Sequence, residues 1–194
     1  MLFVSIFLRI IVVLLLLTRT IYWRISEVKA LNEKPKIQKR TSRIAFHVLM
    51  RNALNIFVFL QLLGLRILPF KHGRVTEIFG ATICVIAVIC SFLGRKVLGT
   101  NWTDSAESQI KKKHVLVTDG IYKFIRHPIG SGYCFFIIGA ELLVGSWLVV
   151  PVTFGLLIGA YIQCRKEEAI LKQQFKEDYI SYMNKTKMFI PYIW

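Results

Sequence analysis

What most constrains this chain is a succession of apolar runs, each long enough to enter a lipid bilayer, separated by clusters of positive charge. Residues 1 to about 18, MLFVSIFLRIIVVLLLLT, match the length a helix needs to cross a hydrocarbon core of about 30 Å. A cleaved signal peptide would carry its charge before the apolar run and a small-residue site after it. Here Arg19 and Arg24 follow the run and no such site is found, so a retained helix is expected. A second span runs from about Ala45 or Asn52 to Phe70, and a third from about Val75 to Leu93. Two shorter apolar segments, about 129–144 and 147–163, flank Gly145-Ser146 and read as a helical hairpin. The expected fold is an all-α integral membrane protein: five membrane-entering helices, the last two a hairpin, a cytosolic loop before them, and a C-terminal interfacial helix over about 165–184.

Charge sets the expected orientation. From Arg19 to Arg51 the basic residues far outnumber Glu27 and Glu33, which predicts a cytoplasmic first loop and an external N-terminus. Alternation then puts Arg95-Lys96, the loop from about 98 to 126 and the C-terminus on the cytoplasmic side. A glycosylation sequon at Asn101-Trp102-Thr103 would go unused there. Ionisable groups at membrane depth need partners; Glu141 is expected to pair with Arg9 or Arg66.

Composition narrows the function classes. At 194 residues, 55% hydrophobic and mean hydropathy +0.53, the chain is too apolar for an ordinary soluble domain and too short for two. A net charge of +15 suggests nucleic acid only superficially. The basic residues flank apolar runs, Lys111-Lys112-Lys113 among them, and anionic membrane lipid is the expected counter-charge. Cys84, Cys90, Cys134 and Cys164 lie in or beside apolar runs without ligand spacing and read as small hydrophobes. Four scattered histidines predict no metal site. The small residues Gly130, Ser131, Gly132, Gly139, Ala140, Gly155, Gly159 and Ala160 predict close helix contact. Neither a nucleic-acid partner nor an obligatory protein partner is expected.

Polar chemistry concentrates in residues 114–132, HVLVTDGIYKFIRHPIGSG. Proline fits the first turn of a helix, so His127 is expected at a helix mouth, where free backbone amides and the dipole favour an anionic group. The alternative is an interfacial loop whose Arg126 and His127 meet lipid headgroups. No GxGxxG follows a strand pattern, so a nucleotide-like cofactor would have to be held between helices and loops.

The order LVTDGIYKFIRHP, with Glu167-Glu168 downstream and an aromatic tail, resembles the isoprenylcysteine carboxyl methyltransferase family, which shares its core with phospholipid methyltransferases. The likeness is to a short, prokaryotic-type member. It covers roughly 75–194, the expected methyltransferase core, while 1–74, the first two helices and basic loop, match only in character; together they read as a single membrane domain. The resemblance implies S-adenosyl-L-methionine as cofactor, S-adenosyl-L-homocysteine as product, and a lipophilic acceptor, plausibly a prenylated cysteine carboxylate. A phospholipid amino-group methyltransferase and a non-catalytic helical membrane component are the alternatives.

By the same resemblance His114, Val115, Leu116, Val117, Tyr122, His127, Pro128, Ile129 and Gly130 would wrap the cofactor, with Gln109 a further candidate. Glu167 would take its ammonium group. Gly130 replaces a tyrosine common in the family, and Gln163 an arginine usual four residues before the glutamate pair. Arg126 is cast as the cation orienting a carboxylate, given its bidentate geometry. Glu167 and Glu168 lie about 100° apart on a helix, so at most one aims into a shared pocket. Without the resemblance they read as an exposed acidic pair balancing Arg165 and Lys166.

Overall fold

The computed structural model describes residues 2–32, 42–101 and 115–193. Among them there are five α-helices and no strand: α1 (Leu2–Asn32), α2 (Ser42–Leu62), α3 (Arg74–Leu98), α4 (Pro128–Val144) and α5 (Val149–Lys185), with short 3-10 turns at Gly99–Asn101 and Gly120–Lys123. Phe3–Ser26 and Arg74–Leu98 are long and apolar enough to cross a membrane; Phe46–Leu62 and Pro128–Val144 are shorter apolar helices. Gln109, His114, the lysine run and most of the sequon lie outside the described residues.

The separation expected near Arg165 between the second hairpin arm and an interfacial helix is absent: α5 runs through that point without a break. Hydropathy changes near Arg165, but Glu, Ala, Leu, Lys and Gln continue at high helix propensity with no Gly or Pro between. The break comes at Lys176, where φ is 46° and ψ −122°. For the same reason α1 continues past its apolar run to Asn32.

Helix α4 is bounded as the sequence suggests. Pro128 opens it behind His127, and Gly145 closes it at φ 70°, its amide donating to Glu141 and Leu142 carbonyls. Only glycine takes that left-handed position without a steric cost, and a Cβ there would also strike the His72 ring. Ser146 then bridges to the α2–α3 connection, its hydroxyl donating to the Ile67 carbonyl at 3.0 Å.

The core is the seam between α3 and α4. A Cβ at Gly80 would lie 2.5 Å from the Gly139 carbonyl oxygen, and one at Gly132 would meet Ser91 Oγ and the Ala87 carbonyl. The backbones therefore touch, as small residues allow in a membrane bundle. Gly130, Gly155 and Gly159 have open space around them instead, so the expected run of small contact residues divides into two groups. Away from the motif, Ser5 Oγ donates to both Glu77 carboxylate oxygens at 2.7 and 2.9 Å, tying α1 to α3. Glu141 is fully buried and is met by Gln61 Nε2 at 3.3 Å, in the place that sequence offered to Arg9 or Arg66.

Candidate functional site: a cavity behind the His127–Pro128 turn

The segment leading into α4 is zipped to Lys187 and Met188, just beyond α5. The Arg126 amide donates to the Lys187 carbonyl at 2.8 Å, His127 to Met188 at 3.2 Å, and Lys187 back to Phe124 at 3.3 Å. Tyr182 of α5 adds a hydroxyl bond to the Tyr122 carbonyl at 2.8 Å. These bonds satisfy backbone groups that a buried loop would otherwise leave unpaired.

Inside this frame Arg126 is engaged through Nε and Nη1. Its Nε donates to Glu168 Oε1 at 2.7 Å and its Nη1 to the carbonyls of Met183 and Thr186. His127 stands between the two glutamates, Nδ1 3.5 Å from Glu167 and Nε2 3.5 Å from Glu168. Burial acts to lower the basicity of His127, but contacts with Cys164, Glu167 and Glu168 outweigh it and hold the imidazolium well above its ordinary range. Glu168 shows the mirror effect: burial alone would raise it, while His127 and Arg126 hold its carboxyl below the usual range.

One cavity of about 920 Å³ opens beside this network, at the upper end of what small-molecule sites occupy. Of the residues singled out from sequence, Val115, Leu116, Val117, Tyr122, Arg126, His127, Ile129, Gly130 and Glu167 line it. Pro128 does not; its ring packs on Gly94 of α3. The glutamates divide as the 100° spacing requires, Glu167 lining the cavity and Glu168 lying buried behind it at 1% exposure. The cavity then continues between apolar stretches of α2 and α5, past Met50, Leu54, Gly155 and Gly159.

The chain's similarities fall on these elements. The sequence profile described as phospholipid methyltransferase matches residues 75–178, more than half of the chain. The chain belongs to that family. Similar proteins include the protein-S-isoprenylcysteine O-methyltransferase of Schizosaccharomyces pombe, 34% identical over 97 residues, 49% of this chain and 41% of the relative. The Arabidopsis thaliana form B is 25% identical over 117 residues, covering 59% of each chain. The chain thus spans about half the length of the curated relatives it matches. A solved eukaryotic intramembrane Ras methyltransferase, isoprenylcysteine carboxyl methyltransferase, superposes with a TM-score of 0.57 at 19% identity, over 89% of this chain and 53% of that one. At that identity the likeness concerns the fold, which for this phospholipid methyltransferase family member is the helical bundle just described.

Several site residues gave no sequence signal. Cys164, read as a small hydrophobe, stands with His127 and Glu167 so that their ligand-type atoms lie within 4.8 Å of one another. The trio was invisible because the three residues come from two segments that only the α4–α5 packing brings together. Arg19 and Tyr133 also line the cavity, as does Asn55, one of the polar residues of the second span that sequence alone points toward protein or a cavity, and each of the three has a buried polar atom without a hydrogen-bond partner.

Proposed function

We propose that this protein is a membrane-embedded, S-adenosyl-L-methionine-dependent methyltransferase acting on the carboxylate of a prenylated cysteine. The observation that carries the reading is a cavity joining the motif wall to an apolar channel between α2 and α5, two helices that do not form an extensive packed interface. A lipid tail held between them stays in hydrocarbon while its polar end reaches the motif. Five helices entering the bilayer, with the motif and C-terminus cytoplasmic and the N-terminus outside, suit this reading and the basic first loop.

The residues fit the cofactor. Among the described lining residues Glu167 is the acidic one, placed for an ammonium group, while Val115, Leu116 and Val117 offer an apolar wall and backbone groups. When bound, S-adenosyl-L-methionine supplies an electrophilic methyl group and leaves as S-adenosyl-L-homocysteine. A carboxylate acceptor is ionised at neutral pH, so no side chain has to remove a proton. The protein contributes position and dryness. Arg126, occupied by Glu168 and backbone carbonyls, is a positioning residue that fixes His127 and the motif turn, and the substrate-orienting role shifts elsewhere.

A phospholipid amine as acceptor fits less well. Arg19, Arg24, Arg51 and Arg126 line the cavity against Glu167 alone, and His127, whose basicity its neighbours raise, is committed to the two glutamates. The test is transfer of labelled methyl from S-adenosyl-L-methionine by the detergent-purified protein. Label is expected on a farnesylated cysteine derivative with a free carboxylate; label on phosphatidylethanolamine alone would replace this reading with the amine one.

A further inference from the structure

Arg19 is a buried cation without a counter-charge. Its residue is 6% exposed, and its guanidinium carbon lies 4.8 Å from the Trp23 ring and 5.0 Å from the Tyr133 ring. No described carboxylate pairs with it, and its Nε is buried without an acceptor. Burying a guanidinium unpaired is costly, and contact with two ring faces offsets only part of that cost. Tyr133 Oη and Asn55 Oδ1, buried in the same cavity, also lack partners. The O and N positions of a side-chain amide are interchangeable in such an assignment, so Asn55 can present either a donor or an acceptor. Three unsatisfied polar groups from α1, α2 and α4 thus line one cavity that ends in an apolar channel, Arg19 and Tyr133 in direct contact.

The geometry points to Arg19, supported by Tyr133 and Asn55, as the site that binds the acceptor's carboxylate; the inference rests on the methyltransferase reading above. The ring contacts fix the guanidinium's faces and leave its edge N–H groups for a planar anion, the geometry arginine offers to carboxylates. Two carboxylates can enter this cavity, the acceptor's and the one on the cofactor's amino-acid end. Depth separates them. The cofactor's carboxylate is bonded to the same carbon as the ammonium that Glu167 takes, and Glu167 contacts His127 at the mouth of α4. Tyr133 lies six residues further along α4, about 9 Å deeper toward the apolar channel.

The test uses the full-length protein in detergent. Wild type, Arg19→Gln and Arg19→Lys are compared for binding of S-adenosyl-L-homocysteine by calorimetry, and for inhibition by S-farnesyl-cysteine derivatives ending in a carboxylate or an uncharged carboxamide. Arg19→Gln is expected to weaken the carboxylate compound by roughly tenfold to a hundredfold. Carboxamide binding and S-adenosyl-L-homocysteine affinity should stay within about twofold, and Arg19→Lys should recover part of the carboxylate preference. Thermal stability without ligand should hold or rise in Arg19→Gln, since an unpaired buried charge is removed; a drop would mark a structural cation and reject the inference. Undiminished preference for the carboxylate in Arg19→Gln would also overturn it. Weakened S-adenosyl-L-homocysteine binding would assign Arg19 to the cofactor's carboxylate instead. If wild type methylates no prenylcysteine at all, the underlying reading fails; if it does and Arg19→Gln behaves like it, only the Arg19 assignment fails.

Discussion

Helix α4 has two faces that do opposite things with the same residue type. On one, Gly132 and Gly139 press against α3 so closely that an added methyl group would fall 2.1 to 2.6 Å from Ser91, the Ala87 carbonyl or the Gly80 carbonyl. On the other, Ile129, Gly130, Tyr133 and Cys134 form a stripe along the cavity, and Gly130 meets nothing. Positions 130 and 132 differ by about 200° around the helix, which accounts for the division. The sealed face is scaffold and the open face is site, so glycine content alone says little about which is which.

Breaking the scaffold side should cost most. Glu168→Gln leaves Arg126 buried without its carboxylate and is expected to destabilise the protein by about 3–5 kcal/mol, read as a fall in melting temperature in detergent. Little change would mean the Arg126–Glu168 pair is ornamental and the site frame is held by the C-terminal backbone bonds. Gly132→Ala should follow, at about 1–3 kcal/mol, because helix backbones rather than a flexible side chain must move.

Changes on the open side should spare the fold and strike binding. Glu167→Gln removes the proposed charge-assisted contact and is expected to weaken S-adenosyl-L-homocysteine by about tenfold to a hundredfold, with a smaller fall in melting temperature than Glu168→Gln, because His127 keeps its Glu168 partner. Equal affinity in the two proteins, titrated side by side, would remove Glu167 from the cofactor site. Gly159→Ala is the mildest: it fills open space on α5, gains up to about 1 kcal/mol of helix propensity, and should alter acceptor KM more than stability.

The pH profile sharpens the same contrast from within the network. Glu168 is held below its ordinary range, so its contribution is present above the unfolded carboxylate value of about 4.3 and is lost as pH falls through the folded value. His127 is held above its range, so its contribution is full below about 6.5 and is lost as pH rises through the raised folded value. Stability without ligand should therefore decline on the alkaline side as well as the acid side. His127→Gln should flatten the alkaline arm; an unchanged arm would show that another group sets it.

Much of the scaffold was legible because its signals are local. The Pro128 start and Gly145 stop of α4, and the opposed faces of Glu167 and Glu168, follow from propensity and helical spacing. The boundary expected near Arg165 was misplaced, while the end near residue 184 held, because hydropathy marks where a helix leaves lipid, not where it breaks. The candidate site was legible where motif residues lie close in sequence, as at 115–117, 122, 126–127 and 129–130, with Glu167 reached only through the family resemblance. Arg19 meets Tyr133 across 114 positions of sequence, and Cys164 joins His127 only through α4–α5 packing. Arg126 was assigned outward to a ligand because its internal partners, Glu168, Met183 and Thr186, all come from later in the chain.

That last dependence has a consequence for biosynthesis. Arg126 and the Thr186 carbonyl that holds it are separated by 60 residues, and the main-chain bonds at 124–127 wait on Lys187 and Met188. At ribosomal speeds of about 5–20 residues per second, the motif turn is made several seconds before its partners exist. A nascent chain halted before residue 186 has already translated all five helices' apolar segments, yet leaves Arg126 without those carbonyls and the turn without its clasp. Assembly of the cavity is thereby deferred until residues 186–188 have been made, after the hydrophobic segments.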